Sequence, residues 1–153
     1  MSNLFVSTTF LPDSSSLKDS LMQCKEKGVK GIEIGSNHCY EENYDYIFNF
    51  EFEYITHNYF PPSQIPFVIN IASFNDELRE KSIEHIKKSI DFSANIGAKL
   101  YTFHPGFLTD PKGSNPSDIN YDFQWDENKL NNVNYEKALF YMYSSIDKVL
   151  DFA

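Results

Sequence analysis

The sequence predicts an α/β fold of alternating strands and helices, on three observations. Short β-branched or aromatic runs recur at Asn3–Thr9, Gly31–Gly35, Glu53–His57 and Lys99–Phe103. Between and after them, apolar residues fall at three- and four-residue steps, the period of a helix with one buried face. Polar residues, histidines among them, stand at the carboxyl ends of the strands, where parallel α/β folds place their chemistry.

The first strand opens the chain, and a buried strand explains Leu4, Phe5 and Val6 better than a helix does. Ser16 then precedes Leu17, Leu21 and Cys24, with Asp19 placed for a capping box and Gly28 for the helix stop. Gly31-Ile32-Glu33-Ile34-Gly35 alternates over a strand-length window. Ser36 to Phe50 reads as a loop with a short helix around Asn43 to Asn49, and Glu53 to His57 as the third strand, stopped by Pro61-Pro62. Ser63 to Ile71 is extended, either an edge piece or an ordered loop.

The main helix, about five turns long, follows Ser73 and Asn75, both possible N-caps, and ends at Gly97. Its spacing predicts a buried face of Leu78, Ser82, Ile83, Ile86, Ile90 and Ala94. Lys99 to Phe103 is too short and too apolar for a helix and reads as a buried fourth strand ending at His104. Phe107 to Asn132, with Pro111, Gly113, Pro116 and Trp125, is a long loop. Ala138, Met142, Ile146 and Val149 mark a last helix. The pattern is a (βα)4 unit, and an open sheet or part of a barrel both satisfy it.

At 153 residues, the chain is read as a single domain, 1–153, with one core to which 14 Phe and 10 Tyr contribute much of the buried area. A net charge of −9 gives no basic footprint for phosphate backbones or anionic membranes, so a small-molecule partner is favoured over nucleic acid. Cys24 and Cys39 lack metal-site spacing and are read as free thiols. With neither a signal-peptide pattern nor a membrane-length apolar run, a cytoplasmic protein is expected.

Three local patterns together resemble the xylose isomerase-like TIM-barrel superfamily, which holds sugar and sugar-phosphate isomerases and epimerases and, more distantly, endonuclease IV. The strongest runs from Phe67-Val68-Ile69-Asn70-Ile71-Ala72-Ser73 through Leu78-Arg79, Ser82-Ile83, Ala94 and Gly97-Ala98 to Phe103-His104-Pro105-Gly106. A similar run in that superfamily links histidines on the third and fourth barrel strands, which would be His57 and His104. Gly31-Ile32-Glu33-Ile34 is similar to the second strand of the isomerase members. Asn58 to Pro66 intervenes before Phe67, unlike the shorter spacing of endonuclease IV, and moves the reading toward the isomerases.

Such barrels have eight strands in about 250 residues, so the resemblance implies the N-terminal half, truncated after the fourth βα unit. It implies divalent-metal-assisted proton transfer on a sugar or sugar phosphate, with zinc, manganese or magnesium held mainly by residues of the fifth to eighth strands. His57 and His104 are the expected metal or substrate residues, Glu33 the candidate acid–base residue, and Tyr59 a substrate contact. Two imidazoles leave a catalytic zinc at least one protein ligand short, so the site expected in this chain alone is incomplete. The alternatives are an endonuclease IV-like zinc phosphodiesterase acting on abasic DNA, and a non-catalytic half-barrel that pairs its sheet edges with another copy or a C-terminal half.

Other residues have blander readings. His38 could cover the pocket but is expected in a solvated loop, and His85 is expected on the surface of the main helix. Phe60 and Trp125 could join Tyr59 as a sugar-stacking wall, against a competing reading as ordinary packing. Lys99 lies at the far end of its strand from the candidate site.

Overall fold

The computed structural model describes residues 4–10, 16–36, 38–111 and 132–153. Asn3 at the start of the first strand and Trp125 with most of its long loop lie outside the described residues. The elements are β1 (Phe5–Ser7), α1 (Leu17–Glu26), β2 (Gly31–Ile34), β3 (Glu53–His57), α2 (Asp76–Asn95), β4 (Tyr101–Thr102) and α3 (Tyr135–Leu150). Short 3-10 helices occupy Thr8–Phe10 and Asp45–Asn49. The strands form one parallel sheet in the order β1-β2-β3-β4, the predicted α/β class.

Local chemistry explains most boundaries. The Ser16 side chain accepts the Asp19 backbone N–H and donates to its carboxylate, capping α1. Asn75 caps α2 by accepting from the N–H groups of Glu77 and Leu78, while Ser73 in turn accepts from the Asn75 N–H. Gly28 (φ +71°) and Gly97 (φ +68°) take the left-handed conformation just past the ends of α1 and α2.

Some expectations fail where tertiary context decides. The first strand is shorter than predicted because the chain turns into a 3-10 helix at Thr8. The fourth is not buried: Leu100 is 53% exposed, and β4 is the last strand of the sheet order, paired only with β3 among the described residues. Ala94 is exposed, and the buried positions of α2 are Ser82, Ile83, His85, Ile86, Ser89 and Ser93. Ser63 to Ile71 is an ordered loop rather than a sheet edge, with Val68 to Ile71 buried.

The described residues pack as two units. The first, within Met1–Gln64 and Ser89–Phe103, holds the whole sheet. Ile32, Ile34 and Tyr54 point to one sheet face and form its core with Leu17, Leu21, Cys24, Ile47 and Phe60. Burial pushes the Cys24 thiol up from its ordinary pKa.

The second unit, within Ile65–Lys88 and His104–Ala153, holds α3 and the first part of α2. It contains no described strand, and hydrogen bonds from side chains to backbone fasten its loops. Ser145 of α3 donates to the Ile71 carbonyl, and Ser82 of α2 accepts from the Asn70 N–H. The Arg79 guanidinium bonds the Ser73 carbonyl and lies over the Tyr141 ring, 4.1 Å from its centroid.

Candidate functional site

Successive side chains of a strand point to opposite faces, so the register decides which polar residues meet. Ser7, Glu33 and Ile55 are direct neighbours across β1, β2 and β3. His57 lies two residues beyond Ile55 on the same face and is paired with Thr102 of β4. Ile32, Ile34 and Tyr54 occupy the other, core face. One face of the sheet is thus buried and mainly apolar, with Thr56 satisfied by Ser93, while the other carries Ser7, Glu33, Ile55 and His57, all partly exposed.

Glu33 and His57 therefore stand diagonally on adjacent parallel strands, toward their carboxyl ends. The Glu33 carboxylate makes no hydrogen bond or ion pair among the described residues. It keeps its hydration through partial exposure, which removes the cost of burying a lone charge. His57 Nδ1 lies 2.8 Å from Thr102 Oγ1, a hydrogen bond that orients the imidazole across the β3–β4 ladder. Beyond His57, Asn58 takes φ +57°, a conformation that asparagine tolerates better than most residues, and leads to the partly exposed Tyr59. Tyr101 donates to the Asn58 carbonyl at 2.9 Å, and burial pushes its phenol up to about 12.

His38, expected in a solvated loop, is instead buried. Its Nε2 lies 2.7 Å from Thr8 Oγ1, and that oxygen also accepts the Gly35 N–H. The side chain after β1 thereby ties down the chain after β2. The His38 ring also meets Phe60 edge-on. Phe60 itself is fully buried in the core, which makes it packing rather than a sugar-stacking wall. His85, expected on the surface, is also buried, edge-on against Phe67. Lys99 pairs with Glu53 at the opposite end of β3 from His57.

His104 is exposed and belongs to the second unit. Near it stands a residue that site reasoning from the sequence missed: Asn70, fully buried, whose side chain bonds Asp110 and the N–H groups of Ala72 and Phe107. A polar residue set in the apolar run Phe67–Ile71 was the available signal, because a buried amide demands partners.

The metal implied by the resemblance meets a direct test. Among the described residues no group of three or more His, Cys, Asp or Glu side chains could hold an ion. Glu33 and His57, or His57 and His104, fall short of the three protein ligands of a catalytic zinc. The described residues do not fit a complete metal site. What they offer is a carboxylate and an imidazole on one partly exposed sheet face.

Four parallel strands in sequence order, with helices between and after them and polar groups at the strand ends, define an α/β architecture. The chain belongs to the xylose isomerase-like TIM barrel family, whose model matches residues 21–153. It is similar in fold to the crystal structure of a D-tagatose 3-epimerase-like protein, with a TM-score of 0.66 and 20% identity. That match covers 97% of this chain and 48% of the other, so the chain spans about half of the solved structure's length. A stretch of 41 residues is 44% identical to "Probable endonuclease 4" of Aquifex aeolicus (strain VF5), covering 27% of this chain and 14% of that protein. No helix among the described residues is long and apolar enough to cross a membrane.

Proposed function

We propose that this chain is the substrate-facing first half of a sugar or sugar-phosphate isomerase or epimerase, a single domain holding the barrel's first four βα repeats. The observation that carries this reading is the sharing of one water-accessible sheet face by Glu33 and His57, near the carboxyl ends of adjacent strands. Family membership and the epimerase-like fold support it. Epimerisation next to a carbonyl needs a group that takes a proton from carbon and groups that hold the neighbouring oxygens. Glu33 is the candidate for the first task and, as the anion on that face, for accepting a hydrogen bond from a sugar hydroxyl on binding. His57 and Tyr59 are candidates for holding sugar hydroxyls, and His104 is proposed as a substrate-facing residue in its own unit. The remaining acid–base and metal-binding groups would come from a C-terminal half or from another copy of the chain. The proposed setting is cytoplasmic.

A second reading is endonuclease-like cleavage of DNA, favoured by the short match to the Aquifex protein. The net charge of −9 weighs against it, because binding to a phosphate backbone rests on basic side chains.

Calorimetric titration of chain 1–153 with a ketohexose such as D-tagatose, and separately with abasic duplex DNA, decides between them. The sugar reading expects saturable heat with the ketohexose that Glu33→Gln and His57→Ala each abolish. Heat unaffected by either substitution, or none at all, overturns it. DNA binding that weakens steeply with salt supports the second reading instead.

A further inference from the structure

We propose that Asn70 is the positioning residue of His104, with Gly106 as its matched partner. The inference builds on the reading of His104 as substrate-facing. Its structural content, that Asn70 sets where His104 stands, can be tested without any ligand.

The Asn70 side chain bonds in three directions. Oδ1 accepts the Ala72 N–H at 3.1 Å, closing a local turn, and the Phe107 N–H at 3.0 Å. Nδ2 donates to Asp110 Oδ1 at 2.8 Å, and the other Asp110 oxygen accepts from Ser73 Oγ at 2.7 Å. One buried amide thus fastens both ends of the segment that runs from Phe107 to Asp110. The Ile71 N–H adds a bond to the Pro105 carbonyl at 3.0 Å.

Gly106 stands at φ +126°, and a Cβ there would lie 2.2 Å from Asn70 Oδ1 and 2.7 Å from Asn70 Cα. Only glycine accepts both the conformation and the contact. Of the three residues that follow His104, Pro105 is held by its carbonyl, Gly106 by close contact and Phe107 by its N–H. Each of these attachments is to Asn70 or its neighbour Ile71. The Pro105 ring fixes one further dihedral. His104 is therefore the residue immediately before a turn whose path is dictated by Asn70. With Oδ1 accepting two N–H groups and Nδ2 committed to Asp110, the Asn70 amide orients the turn and is not itself a ligand contact.

The test is the imidazole resonance of His104 in ligand-free, isotope-labelled chain 1–153, with His57 as the internal reference in the other unit. Asn70→Ala and Gly106→Ala are each expected to move the His104 signal while that of His57 stays in place. Asp110→Ala, which removes the Nδ2 tether and keeps both Oδ1 bonds, is expected to move it less. An unmoved His104 signal in folded Asn70→Ala, or equal displacement of His57 and His104, overturns the proposal. Where Asn70→Ala does not fold, the half-buried Asp110→Ala decides: displacement confined to His104 supports the assignment, and no displacement refutes it. Sugar calorimetry on the same samples separates this result from the proposed function, since loss of sugar binding alone leaves the ligand-free signals unchanged.

Discussion

The two units solve the same problem, holding a histidine in place, by different physical means. In the first, apolar packing of Ile32, Ile34 and Tyr54 against Leu17, Leu21 and Cys24 seals one sheet face. The opposite face is thereby relieved of stabilising duty and can carry Glu33 and His57. In the second, loops take the place of strands among the described residues, and a network centred on Asn70 fixes the turn after His104. A packed sheet tolerates change on its polar face. A turn held by one amide does not tolerate the loss of that amide.

The largest effect should come from breaking the first arrangement. Ile32→Ala removes a fully buried side chain and is expected to cost about 2–5 kcal/mol, read as a lower urea midpoint. Next comes the polar network. Asn70→Asp keeps the shape but sets a second carboxylate against Asp110 and leaves a buried acceptor without its N–H partner, at a cost of about 1–3 kcal/mol near neutral pH. The repulsion raises the pKa of one carboxyl in the folded variant, so stability relative to the parent should recover as the pH is lowered and that carboxyl takes up a proton. A variant equally impaired at pH 4 and pH 7 would contradict this account.

A contrast that needs no substitution should appear in alkali. Burial pushes the phenols of Tyr44 and Tyr101, both in the first unit, up to about 12. The unfolded chain gives up those protons near pH 10, while the folded chain keeps them. Stability is thus intact below about pH 10 and falls as the pH rises from there toward 12. Phenolate absorbance should lag in the folded chain and rise abruptly on unfolding. The smallest effect on stability is expected at the candidate site itself: Glu33→Gln should shift the urea midpoint by no more than about 0.5 kcal/mol equivalent, because the half-exposed carboxylate makes no bond among the described residues.

Legibility in the sequence followed the range of the forces involved. The Ser16 cap and the end of β3 before Pro61-Pro62 were readable because what sets them lies within a few residues, whereas Ser73 and Asn75 both stayed open as caps of α2 until the hydrogen bonds to Asn75 decided. The burial of His38 was not, since its partner Thr8 is thirty positions away and reaches it only once β1 and β2 are paired. The exposure of β4 likewise depends on its place in the sheet order, whereas its composition suggested an interior strand. Glu33 and His57 could be nominated individually, but that they share a face follows from the β2–β3 register alone. Asn70 was visible within a characteristic run, yet its bonds to Phe107 and Asp110 span thirty-seven and forty residues.

In the proposed function the polar sheet face serves ligand binding rather than stability. The most direct measurement is residue-resolved NMR of chain 1–153 titrated with the ketohexose, in the parent and in Glu33→Gln. The expected result is saturable shifts at His57 and Thr102 in the parent, their loss in the variant, and unchanged ligand-free spectra elsewhere in the first unit. Shifts that persist in Glu33→Gln, or a variant whose ligand-free core signals move throughout that unit, would contradict it.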